Sequence, residues 1–223
     1  MQFEEGYIYH IYNQGNNRQR IFFNRENYLY FLRKINTYVK PYGDILAWCL
    51  MPNHFHLMVL VNELEVDANT WATVQSHTNT LGATQNATNT WGATQSRAPS
   101  ITSKKISLNQ SLGIIQSSYT KAINKQESMT GSLFRKRTKA ECVNCPDGIT
   151  PSFITKNEIT QINIIQPEKQ YPKICFDYIH KNPTKAKLVK QNTDWEFSSA
   201  KDYYGNRKGK LINRIKAEEY GLI

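Results

Sequence analysis

Two short blocks of the chain carry residue types that can do chemistry on a phosphate. The first is Met51-Pro52-Asn53-His54-Phe55-His56-Leu57-Met58-Val59. His54 and His56 stand two apart at the entrance of an apolar run, and a strand turns every second side chain to the same face. Two neutral imidazoles side by side can grip one divalent cation, while Phe55 between them points into a core. The chain has only 5 histidines, so two at this spacing in a strand entrance stand out from chance placement. The second block is Asp177-Tyr178-Ile179-His180-Lys181-Asn182-Pro183. On a helix, Tyr178 and Asn182 lie one turn apart on one face. That offers a phenol placed for attack beside an amide oxygen able to complete a metal site. Pro183 disfavours helical geometry at Asn182. Tyr119 is the competing phenol. It falls on the apolar stripe of its own helix and reads as core.

The elements that must position these groups follow from periodicity. Residues 6–13, rich in aromatic and β-branched types, read as a strand, and Gln14–Arg20 as a loop. A helix begins at Arg25 behind Asn24 as N-cap, with Tyr28, Leu32, Ile35 and Val39 at helical spacing. Ile45–Met51 and His56–Val61, separated by Pro52-Asn53, read as a hairpin. Leu108, Leu112, Ile115, Tyr119 and Ile123 mark a second amphipathic helix with Ser107 as its cap. Residues 133–143 alternate as a strand, which puts Arg135, Arg137 and Lys139 on one face. A third helix is expected over about 172–181, with Pro172 in its first turn and Pro183 closing it. A short strand near Trp195–Ser198 and a helix near Asn213–Tyr220 follow. This order suggests one α+β domain over residues 1–223, a ferredoxin-like sandwich with helices on one face of an antiparallel sheet.

Residues 67–100 break the pattern. Asp67 and Arg97 are their only charges, and Asn69-Thr70-Trp71, Asn79-Thr80-Leu81 and Asn89-Thr90-Trp91 open units of ten. That period matches no familiar solenoid and reads as a low-complexity repeat insertion in a surface loop, where added length carries little entropic cost. Residues 144–168 read as irregular, a second short insertion.

Lys and Arg number 28 against 18 acidic residues, a formal charge of +10. Such a surplus favours a polyanionic partner, most simply nucleic acid. Arg135, Lys136, Arg137 and Lys139 are the leading phosphate contacts, with Arg18 and Arg20 next. No apolar run is long enough for a transmembrane helix, and Met1–Glu5 lacks an apolar signal core. The expectation is a cytoplasmic, nucleoid-associated protein of bacterial type, with no membrane partner and its 4 cysteines as thiols.

Several segments together resemble the REP-associated tyrosine transposases, insertion-sequence-like members of the HUH single-tyrosine superfamily. They are His10-Ile11-Tyr12-Asn13-Gln14 through Asn17-Arg18 with Ile21-Phe22-Phe23, Cys49 through Leu57, Gly131-Ser132-Leu133-Phe134-Arg135, and Tyr178-Ile179-His180-Lys181-Asn182-Pro183 with Lys185–Val189. Trp195–Ala200 with Tyr203-Tyr204-Gly205 looks like the family's closing segment. The match spans nearly the whole chain outside the two insertions, and the repeat insert departs from the compact family pattern while leaving both motifs intact. The resemblance implies an HUH-nuclease fold, with His54 and His56 as metal ligands for Mg²⁺ or Mn²⁺, Asn182 as third ligand, and Tyr178 as nucleophile. It implies cleavage and rejoining of single-stranded or hairpin, REP-like DNA through a 5′-phosphotyrosine, by a monomer or a homodimer.

Three other readings remain to be weighed. A domesticated copy would bind hairpin DNA without cutting, although an intact set of Tyr178, His54 and His56 argues against decay. A histidine-triad phosphoesterase would need His-x-His-x-His, and here the third position is Met58. A zinc site on Cys142-x-x-Cys145 lacks a second ligand pair at finger spacing.

Overall fold

The computed structural model describes residues 1–70, 104–145, 153–156, 159–162 and 167–223. The helix starts follow from their caps. Helix α1 (Arg25–Tyr38) and helix α2 (Leu108–Gln126) each open on a reciprocal capping box, Asn24 with Asn27 and Ser107 with Gln110. Both boxes satisfy backbone N–H groups that a helix start otherwise leaves open.

Strands β1 (Ile8–Gln14), β2 (Gly43–Met51), β3 (His54–Val61) and β6 (Lys139–Cys142) form one antiparallel sheet in the order β2-β3-β1-β6. α1 joins β1 to β2, and α2 lies between β3 and β6. This is the expected α+β sandwich, with α1 and α2 packed on one face through Phe31, Ile35, Leu112, Ile115 and Tyr119. The opposite face is covered as well. Helix α3 (Pro167–Lys185) lays Cys175, Phe176 and Ile179 over Cys49, Met51, Met58 and Leu60, joined by Tyr203 of α4 (Ala200–Tyr204) and Ala217 of α5 (Arg214–Glu219). Helices therefore lie on both faces rather than one, because β2 and the second half of β3 are apolar on both sides and each side must be buried.

Strands β4 (Glu65–Asp67) and β5 (Lys105–Ser107) pair antiparallel, Glu65 opposite Ser107. The chain thus leaves for the repeat segment and returns from it at adjacent positions. The repeat units from residue 71 on lie outside the described residues. Within 144–168, expected to be irregular, β7 (Phe153–Lys156) and β8 (Ile159–Ile162) form a hairpin.

Three further expectations are corrected. The strand expected over 133–143 is regular only from Lys139, preceded by an isolated bridge between Phe134 and Gly15. The third helix starts before Pro172 and continues past Pro183 to Lys185. Pro183 removes one backbone donor, but Asn182 Nδ2 donates back to the Tyr178 carbonyl at 2.8 Å. The helix then closes on Lys187 at φ 57°, with Leu188 N–H to the Pro183 carbonyl and Lys187 N–H to the Thr184 carbonyl, a Schellman closure. Finally, Cys142 and Cys145 form a disulfide, their Cα atoms 5.7 Å apart where the chain bends after β6. That separation is within bridging reach. Cys49 and Cys175 are buried thiols, each pushed up to about 12 by burial.

Candidate active site

Strand alternation sends Phe55 and Leu57 into the core beneath α1 and α2, and His54, His56 and Met58 to the α3 side. In the neighbouring strand the same rule turns Ile8, His10 and Tyr12 that way, with Tyr12 opposite His56 and Gln14 opposite His54. The turn before His54 is held by the loop after β1. Gly15 N–H donates to the Asn53 carbonyl at 2.8 Å, and Ile21 N–H to that of Pro52 at 2.8 Å. A side chain at Gly15 would collide with the Gln19 carbonyl, so this close approach needs glycine.

Each imidazole has one nitrogen fixed. His54 Nδ1 lies 2.6 Å from Asn53 Oδ1, which makes Nδ1 the N–H and leaves a lone pair on Nε2. His56 Nδ1 lies 2.9 Å from His10 Nε2. Its other nitrogen, Nε2, is buried without a hydrogen-bond partner. Burial lowers the basicity of all three rings, His10 to about 4 and His56 well below its ordinary value, where His10 and His54 add to the effect. For His54, burial is offset by a hydrogen bond with Asn182 that favours the protonated ring. All three rings are therefore neutral at pH 7, the state a metal ligand requires.

Asn182 is buried. Its Nδ2 is engaged by the Tyr178 carbonyl, and its oxygen is the group that favours a proton on His54. Two imidazole nitrogens from β3 and an amide oxygen from α3 are donor types that fit a hard or borderline divalent cation. The orphaned Nε2 of His56 is the observation that makes the fit, since a buried ring nitrogen without a partner is otherwise costly. Among the described residues, no cluster of three His, Cys, Asp or Glu side chains is arranged to hold a metal.

Tyr178 is 40% exposed. Its ring stands edge-on to His56 and His10, at centroid distances of 5.5 and 6.1 Å, and the Lys185 ammonium lies 5.2 Å from its centroid. Tyr119 is fully buried on the other face of the sheet, packed on Phe31 and Phe134. Its hydroxyl donates to the Ile21 carbonyl at 2.8 Å, and burial raises its pKa. Tyr12 is also held as a phenol, donating to Glu141 Oε1 at 2.5 Å, with burial and that bond both opposing ionisation.

The six basic candidates divide. Arg135, Arg137 and Lys139 line one open cleft of about 230 Å³ together with His54, His56 and Tyr178. Among the described residues none of the three forms an ion pair. Lys136, on the alternate side, lines a neighbouring depression with Arg137 and Thr138. Arg18 and Arg20 are exposed on the loop beside Asn53, where the Arg18 carbonyl accepts from Asn53 Nδ2 at 3.2 Å, and neither lines the cleft.

Sequence reasoning assigned no role to His10 or Glu141. Ile8-Tyr9-His10-Ile11-Tyr12 puts His10 in phase with Tyr12, but its pairing with His56 depends on the β1–β3 register, which no local pattern encodes.

No protein-family model matches the chain. No curated protein matches it. A solved structure described as a REP-associated tyrosine transposase bound to a REP hairpin is similar, with a TM-score of 0.45 and 17% identity over 89% of this chain and 79% of that one. No helix among the described residues is long and apolar enough to cross a membrane.

Proposed function

We propose that this chain is a transposase-type enzyme that cuts and rejoins single-stranded or hairpin DNA through a covalent link to Tyr178. The observation that carries the reading is one cleft holding an exposed phenol, a histidine pair with an unsatisfied nitrogen, and three unpaired cations. The motif resemblance in the sequence points the same way.

In this reading the DNA backbone enters along Arg135, Arg137 and Lys139, whose charges neutralise phosphates and set register. Tyr178 attacks a phosphorus in line, forming a Tyr–O–P bond while the P–O3′ bond breaks, which leaves a 5′-phosphotyrosine and a free 3′-hydroxyl. The Lys185 ammonium beside the ring adds positive charge next to the attacking group. The phosphodiester count is unchanged, so a second 3′-hydroxyl can reverse the step and join a new end without ATP. Mg²⁺ or Mn²⁺ held by His54, His56 and Asn182 would polarise the scissile phosphate and offset its developing charge. Asn53 and His10 act one layer out, holding the two rings in orientation.

The test is covalent trapping. Protein is mixed with labelled hairpin DNA from the gene's own flanks, with Mn²⁺ or EDTA, and run on a denaturing gel. An adduct that needs metal, persists in Tyr119→Phe and is lost in Tyr178→Phe and His54→Ala supports the proposal. Loss in Tyr119→Phe alone means the wrong phenol. Tight binding on a native gel with no adduct moves the assignment to a DNA-binding protein that does not cut.

A further inference from the structure

Tyr178 borders a second cavity, of about 340 Å³, on the side away from the basic wall. Its chemistry differs from that of the first. Tyr12, Tyr171 and the exposed Ile174 form its walls, the His10–His56 pair its inner side, and Glu141 supplies its one acidic group. Among the described residues no lysine or arginine lines it. A carboxylate in the lining makes this side a poorer track for phosphate than the wall of Arg135, Arg137 and Lys139. Aromatic faces next to an acceptor instead suit a nucleobase, which stacks on its π-face and offers amino hydrogens at its edge. The volume is at the low end for ligand pockets and suits one planar ring system rather than a duplex.

The acceptor is held ready. Tyr12 donates to Oε1 of Glu141, which leaves Oε2 free to accept. Glu141 is exposed and lies opposite His10 in the β1–β6 ladder, so a rigid strand rather than a loop sets its position. We infer that this cavity receives an unpaired base next to the phosphate at Tyr178, and that Glu141 selects bases bearing an exocyclic amino group over thymine. The inference rests on the proposed single-stranded DNA function and adds to it a base preference set by the protein.

Binding of dye-labelled dC and dT oligonucleotides of equal length, without metal, tests it. Backbone contacts are the same for both, so their ratio isolates the base. Wild type is expected to bind dC about tenfold tighter than dT. Glu141→Ala is expected to abolish that preference without weakening dT binding. Tyr171→Ala is expected to weaken both about tenfold, the order of one lost stack. Tyr12→Phe keeps the ring and frees both carboxylate oxygens, so the preference should persist. Its loss there would make Glu141 merely an anchor for Tyr12 and overturn the inference. Equal binding of dC and dT by wild type would overturn it too, while leaving the proposed function standing. No binding of either oligonucleotide at low salt would count against both, and the covalent-trapping gel then separates them, because an adduct on hairpin DNA restores the function alone.

Discussion

His10 Nε2 lies 2.9 Å from His56 Nδ1, so His56 has one ring nitrogen left, and that nitrogen is the buried, unpartnered one. With the hydrogen on His56 Nδ1, the tautomer that a cation at Nε2 requires, His10 accepts it and leaves the Nε2 lone pair to the cleft. Removing such an outer partner typically weakens metal binding 10–100-fold. His10→Ala should lower Mn²⁺ affinity by roughly tenfold or more, read by titration of the bound-Mn²⁺ resonance signal without DNA. His10→Gln, which can still bond Nδ1, should recover part of it. Unchanged Mn²⁺ affinity in His10→Ala would show that His56 keeps its orientation from packing alone.

The two candidate phenols should separate by what each substitution harms. Tyr119 is buried and satisfies the Ile21 carbonyl, so Tyr119→Phe leaves a buried acceptor unpaired and should cost about 1–3 kcal/mol of stability. Tyr178 is exposed and lines the cleft, so Tyr178→Phe should leave the urea midpoint unchanged while abolishing the DNA adduct. A stability loss in Tyr178→Phe as large as in Tyr119→Phe would mean its hydroxyl is structural.

Where the sequence was legible, local rules were enough. Asn24 and Ser107 marked two helix starts because capping is decided within four residues. The His-x-His phase followed from the two-residue repeat of a strand. Illegible were features set by contacts distant in sequence. The β1–β3 register that brings His10 to His56 spans 46 positions. The burial of both sheet faces became clear only with α3 in place. Pro183 misled because a proline's cost is local, whereas the packing of Ile179 and the closure at Lys187 that carry the helix past it are not. Alternation put Arg135, Arg137 and Lys139 on one face and all three line the cleft, although the regular strand starts only at Lys139, whereas Lys136, expected among the contacts, lines the neighbouring depression.

Acid should destabilise the fold over a definable window. Burial lowers His180 to about 3; its Nε2 lies 2.7 Å from Ser199 Oγ, and its Nδ1 is buried without a partner for a second proton. The unfolded chain takes up its proton near pH 6.5 and the folded one only near 3, so between those values the unfolded state binds more protons and stability falls as pH falls. Above about 6.5 the contribution is complete. At about 1.4 kcal/mol per unit, the loss between pH 6.5 and 4 is on the order of 3 kcal/mol from this residue, with His10 adding in the same direction. Urea midpoints measured from pH 8 to 4 should be level and then drop, and His180→Gln should flatten the drop. A profile flat down to pH 4 would show that the ring is not buried neutral.

The division of the basic residues predicts how binding should respond to salt. Each phosphate contact on single-stranded DNA contributes about −0.7 to the slope of log K against log salt. Arg135, Arg137 and Lys139 line the cleft with Tyr178, whereas Lys136 does not. Replacing any one of the three with Ala should therefore make the slope about 0.7 less steep and weaken all sequences alike. Lys136→Ala is the internal control: it removes the same charge one residue away, so long-range attraction falls equally but no cleft contact is lost. Arg18→Ala and Arg20→Ala, outside the cleft, should behave like Lys136→Ala. Equal slope changes for Lys136→Ala and Arg137→Ala would mean that net charge, rather than the cleft, holds the strand, and the path assigned to the DNA would have to be withdrawn.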